Sequence, residues 1–275
     1  MQRLRCVVRP ILVFTALVCA AACSAEDKAV TIVSQTQGGS TLLTAKLNNA
    51  TDVTITLTCD LDNMRPSSPF PITIDSDGKT EVPIVLLRVV DRSRAFRYAV
   101  HFDFRPGGRL KAPAKPFVYG LPYHDGPYRV QQGFLGKFSH SLGSQDENAV
   151  DWSMPIGTEI IAARAGKVVA TRADVSMGGT RLEYKNEFNY IVIKHDDGTY
   201  AEYVHLDKDG VQVHTGDKIE QGKVIGLSGN TGYSSAPHLH FAVFNTLNGR
   251  ERKTIPMEFV SESGKNITPI EGKSY

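Results

Sequence analysis

From Ala29 to about Arg109 the chain runs in short apolar or alternating bursts separated by turn residues. Asp52–Cys59 (DVTITLTC), Phe70–Ile74, Thr80–Val90 and Arg97–Phe104 are rich in Val, Ile and Thr, side chains that fit a pleated surface. Asn48-Asn49, Pro66 to Pro69, Asp77-Gly78 and Pro106 to Gly108 punctuate them. Short strands at this spacing, with no helical period, predict a small β-sandwich of immunoglobulin-like shape.

Between Arg105 and Tyr128 the composition shifts to proline and glycine, the signature of a linker or an irregular covering arm. After Arg129 the strand pattern returns. Glu159–Ala162 and Lys167–Thr171 flank Gly166, and Tyr190–His195 runs through Asp197-Gly198 into Thr199–His205. A two-residue Asp-Gly loop would place Tyr190 opposite His205, at the open end of a hairpin. Gly216-Asp217 and Gly222-Lys223 then separate very short strands. The expected class is all-β: a sandwich over residues 26–112, a linker over 113–128 and a compact β domain over 129–275.

The first 25 residues stand apart. A basic start (MQRLRCVVR), an apolar run over Ile11–Ala22 and small residues through Ser24 and Ala25 have the layout of a secretory signal. The run is too short to span a bilayer, and no later stretch is long and apolar enough to do so. Cleavage after Ala25 would leave Glu26 first. Cys23 as a lipidated first residue is the alternative, disfavoured because Ala20 stands where such a signal carries Leu or Val. Losing Arg3, Arg5 and Arg9 turns the formal charge of +2 into one near −1, which gives no electrostatic case for nucleic acid. Cysteines 6 and 19 leave with the signal and Cys23 can follow, so no disulfide framework is expected and Cys59 reads as a small apolar strand residue.

Candidate chemistry lies in the histidines. His238-Leu239-His240 opens the apolar run Phe241–Phe244, and alternate residues of a strand share a face, so two imidazoles project together while Leu239 points into the core. Asp151 sits in Ala149-Val150-Asp151-Trp152, among residues that favour burial, and a buried carboxylate needs a cation or donors. With His140 and His205 these residues make up the histidine and carboxylate set that catalytic zinc uses. A solvated strand face for the two histidines, and a salt bridge or cap for Asp151, are the non-functional readings.

The stretch Gly133–Phe244 resembles the lysostaphin/LytM-type zinc endopeptidases, through FSH (Phe138–His140), AVDW (Ala149–Trp152), MPIGT, AARAGKVV, YVHL (Tyr203–Leu206), GDKIEQGKVIG and SGNTGYSSAPHLHF (Ser228–Phe241). The resemblance implies a compact β catalytic domain holding one zinc per chain. It makes Asp151 and His240 metal ligands and His205 and His238 unligated catalytic histidines. The first ligand is assigned to His140, eleven residues before Asp151, although Glu147 has the commoner family spacing; Asp146 and His124 are the other candidates. His195 and His214 are expected to be structural or superficial, and the segments 139–148 and 174–188 to wall the cleft. Implied with this are export to the periplasm or cell envelope, peptidoglycan as partner and cleavage of peptide bonds in its stem peptides or cross-bridges. A catalytically inactive wall-binding module that activates another hydrolase and an elastase-like, protein-cleaving relative are the alternatives. A biotinyl or lipoyl carrier is disfavoured, since no lysine stands at an exposed hairpin tip between small residues.

Overall fold

The computed structural model describes residues 4–6, 29–49, 51–111, 117–261 and 263–275. Cys23 and the apolar run of the signal-like segment lie outside them. The chain divides into two compact units, Met1–Gly108 with Asn248–Arg250, and Arg109–Leu247 with Glu251–Tyr275. Among the described residues the structure is strands and turns, with one 3-10 turn at Leu182–Asn186, so the expected all-β class holds. No helix among them is long and apolar enough to cross a membrane.

In the first unit, Val30–Gln37 and Ser40–Leu47 form a hairpin not singled out in the sequence, closed by Gly38 and Gly39 at φ of +58° and +78°. Positive φ at both central residues is the tight turn that matches strand twist. This hairpin continues into Glu81–Val89 and Met64–Pro66. A second antiparallel sheet pairs Val53–Asp62 with Ile72–Asp75 on one side and Arg97–Pro106 on the other; Leu4–Cys6 runs along the latter strand. Leu43, Val85 and Leu87 of one sheet pack with Leu57, Tyr98 and Val100 of the other, so the unit is a β-sandwich. Cys59 joins this core at its edge, and burial pushes its thiol up to about 12.

The second unit is built on one large sheet. Its strands run in the order Arg129–Gln132, Val150–Ser153, His238–Thr246, Tyr200–Val211, Asn189–Lys194, Gly166–Arg172 and Lys218–Ile219. Alternation decides its faces. Val150, Trp152, Leu239, Phe241, Val243, Ala201 and Tyr203 fill the main core, so Asp151, His238, His240, Glu202 and Val204 face the other way.

The expected linker is corrected over residues 117–128. Val118–Gly120 is a strand parallel to Glu258–Val260, and Tyr119 and Tyr123 are buried in the main core, Tyr123 edge-on to Trp152 at 5.2 Å. Arg164 stacks over Phe117 at 3.8 Å and pairs with Asp197 at 2.8 Å. Prolines marked irregular backbone, yet aromatic burial orders it. A fragment 109–275 should therefore fold, whereas 129–275 should be much less stable. Losing two buried aromatic side chains costs about 3–5 kcal/mol each, comparable with the whole stability of a domain. Thermal unfolding of the two fragments checks this; equal midpoints would restore the linker reading.

Candidate metal centre

Strand pairing brings the candidate ligands together. Asp151 lies directly opposite His240 on neighbouring strands, and Ser153 opposite His238. Asp151 Oδ1 is 2.8 Å from His240 Nδ1, 3.4 Å from His140 Nε2 and 3.8 Å from His238 Nε2. His140, Asp151 and His240 are all buried, and their donor atoms lie within 4.8 Å of one another. His140 reaches the site from the segment between the first two strands of the sheet, its Nδ1–H directed to the Gly133 carbonyl at 3.1 Å. That leaves His140 Nε2 buried with no hydrogen-bond partner. An orphaned buried ring nitrogen aimed at a carboxylate and a second imidazole is the donor set a metal ion completes.

His205 arrives by a different route. The hairpin loop has three residues, Asp196 to Gly198, closed by the His195 N–H to Thr199 carbonyl bond, with only Gly198 at positive φ. Tyr190 consequently pairs with Val204, correcting the expected pairing with His205, and the ladder resumes at Asn189 and Leu206. His205 is the extra residue of a bulge, at φ of +65°. The bulge resets the alternation: Leu206 turns into the main core, while the His205 ring stays on the site face, 4.6 Å from that of His238. Asn189, fully buried, stitches the bulge, its Nδ2 donating to the carbonyls of Val175, Leu206 and Asp207.

His205 and His238 are both oriented through Nδ1, which faces the Thr231 carbonyl at 2.6 Å in His205 and the Ala236 carbonyl at 2.8 Å in His238. Each therefore carries its proton on Nδ1 and directs Nε2 elsewhere. Burial, reinforced by the neighbouring imidazoles, pushes His205 down to about 3; burial also lowers His238. Burial opposes charge on Asp151, but the imidazoles of His140 and His240 beside it hold its carboxyl well below the usual range. Burial likewise opposes charge on His240, yet Asp151 and Glu202 raise it to about 10.

Of the other sequence candidates, Asp146 comes within 4.8 Å of a member of this group, His240, but it is engaged elsewhere. Glu147 accepts the Gly143 N–H at 2.9 Å, Asp146 pairs with Arg252, and His124 and His214 are exposed. His195 is buried, its Nδ1 at 2.8 Å from the Ala165 carbonyl and its ring edge-on to Tyr119. The segment 174–188 does border the site. Phe188 stands edge-on to His205 at 6.1 Å, and Gly178-Gly179 pairs with Gly232-Tyr233 beside the loop that holds His205 and His238. A Cβ at Gly178 would stand 1.9 Å from the Asn230 carbonyl oxygen, so this approach needs glycine.

Sequence reasoning missed the residues that support the candidate ligands. Gln132, opposite Asp151, donates to Asp151 Oδ2 at 3.1 Å and Ser139 Oγ at 2.8 Å, and accepts the Phe138 N–H at 3.0 Å. It thus ties Asp151 to the chain just before His140. Glu202 faces His240 Nε2 at 3.4 Å. Both stand at interior-facing or site-facing strand positions with no motif to mark them; only their polarity inside apolar strands was a signal.

Residues 145–253 match the model of peptidase family M23. Asp151, His205, His238 and His240 fall inside that stretch and His140 just before it. The chain is 35% identical over 119 residues to peptidoglycan DD-endopeptidase ShyA of Vibrio cholerae (42% of this chain, 25% of that protein). It is 37% identical over 138 residues to lysostaphin of Staphylococcus simulans (50% of this chain, 26% of that protein). The chain spans about a quarter of the length of these curated relatives. The structure of lysostaphin from Staphylococcus simulans aligns with a TM-score of 0.34 and 28% identity, covering 49% of this chain and 52% of that one.

Proposed function

We propose, from the premise that this chain carries a peptidase family M23 domain, that it is an exported zinc endopeptidase cutting peptide bonds in peptidoglycan. The observation that carries the reading is the convergence of His140, Asp151 and His240 around an unpartnered buried ring nitrogen, with His205 and His238 beside them. Similarity to relatives named as a peptidoglycan endopeptidase and lysostaphin supports the wall as substrate. The layout of the first 25 residues supports export, to the periplasm or cell envelope.

His140 through Nε2, Asp151 through Oδ1 and His240 through Nδ1 would hold the ion. Bound there, zinc would supply Lewis-acid polarisation of the scissile carbonyl and acidify water. The residues do the rest. His238, its Nδ1–H fixed on the Ala236 carbonyl, offers Nε2 as the base that takes the proton from attacking water and returns it to the leaving amine. His205, its Nδ1–H likewise fixed on the Thr231 carbonyl, stands across from His238 and would stabilise the oxygen on which negative charge develops once its Nε2 shares the proton released by the attacking water. Gln132 keeps the Asp151 carboxylate turned so that Oδ1 faces the centre.

Incubating zinc-loaded full chain with purified sacculi should release new amino groups without new reducing sugar ends, and activity should vanish with a chelator and return with zinc. Cleavage of elastin but not sacculi would move the substrate to proteins. Absence of both zinc and turnover would leave a wall-binding module.

A further inference from the structure

We propose that Glu202 and Arg252 are positioning residues that decide which nitrogen of His240 faces the metal. This rests on the zinc reading above. Glu202 is paired directly with Ala242, so His240 is its diagonal neighbour, and the small Ala242 side chain leaves the carboxylate room to reach across. Its Oε1 stands 3.4 Å from His240 Nε2, on the far side of the ring from Asp151. A carboxylate accepting Nε2–H leaves the Nδ1 lone pair for the ion and makes it a stronger donor.

Glu202 does not stand there unaided. Its Oε2 pairs with Arg252 Nη1, while Arg252 Nη2 pairs with Asp146. The guanidinium lies 4.9 Å over the Phe244 ring, and the Arg252 N–H donates to Gln145 Oε1 at 3.3 Å. Arg252 and Glu202 are both buried, 8% and 9% exposed, so neither charge is stable there without the other. Asp146, Glu202 and His240 have donor atoms within 4.8 Å of one another, a set that could itself take a cation. The Arg252 guanidinium is that cation. It keeps Glu202 as the acceptor for His240 and out of competition for the metal, and ties the far end of the segment carrying His140 to the same network.

The test is zinc affinity of the full chain, by competition with a chromophoric chelator, with thermal unfolding of each metal-free variant alongside. Glu202→Leu should weaken zinc by about 10–100-fold, whereas Glu202→Gln, whose amide oxygen still accepts Nε2–H, should stay within about threefold. Arg252→Met should weaken zinc as Glu202→Leu does, and the double variant no further, because both act through one hydrogen bond. In the zinc form, nitrogen-15 spectra should show His240 protonated at Nε2. A folded Glu202→Leu protein with wild-type affinity, a Glu202→Gln protein as weak as Glu202→Leu, additive losses, or an Nδ1-protonated His240 would each overturn the assignment. If Arg252→Met does not fold, the two Glu202 variants decide. A wild-type chain that binds no zinc overturns the metal reading itself, an outcome visible before any variant is compared.

Discussion

His140→Ala should lower zinc affinity by well over tenfold, while Glu147→Gln should leave it within about twofold. The two residues compete for one role, since Glu147 has the commoner spacing before Asp151 and His140 lies eleven residues upstream. The structure separates them by what their polar atoms already do. The Glu147 carboxylate accepts the Gly143 N–H within its own loop. His140 is fully buried, pinned by Gly133 through one nitrogen, and has nothing but the Asp151 side of the site for the other. Charge argues the same way. Two imidazoles and one carboxylate leave a bound dication with net positive charge to polarise a carbonyl, whereas a second carboxylate would neutralise it. Zinc titration of both purified variants checks this, and a Glu147→Gln protein that cannot hold zinc beside a His140→Ala protein that can would show the ligand had been misplaced.

His238→Ala should keep most of the zinc and lose about 10²–10⁴-fold in turnover, the range for a general base. His240→Ala should lose metal and turnover together. The division follows from register. His238 and His240 share a face, but Asp151 is the direct cross-strand partner of His240, which places it at 2.8 Å against 3.8 Å for His238. His205→Ala should likewise retain metal and lose about 10²–10³-fold, as for loss of one group that stabilises a developing oxyanion. Metal content and kcat measured on the same preparations check the three together; equal metal loss in His238→Ala and His240→Ala would sink the division of roles.

Period-two alternation is written in the chain itself, and so the all-β class, the shared face of His238 and His240, the inward Leu239 and the unusual place of Asp151 could all be read from it. Alternation is local, set by the geometry of one strand. The register between strands is not. The Asp-Gly pair signalled a hairpin correctly, but a loop one residue longer moved the pairing, and a bulge then restored His205 to the site face. Neither step is encoded near His205: the bulge persists because Asn189, on the partner strand, satisfies the carbonyls it frees. Likewise the proline-rich run at 117–128 carried every local sign of a linker, and only the burial of Tyr119 and Tyr123 against residues far away in sequence made it part of the domain. Gln132, Glu202 and Arg252 took on meaning the same way. A polar side chain in a strand has no assignable partner until folding buries it, and the cost of leaving a buried donor, acceptor or charge unpaired then selects the partner from whatever strand the tertiary structure has brought alongside.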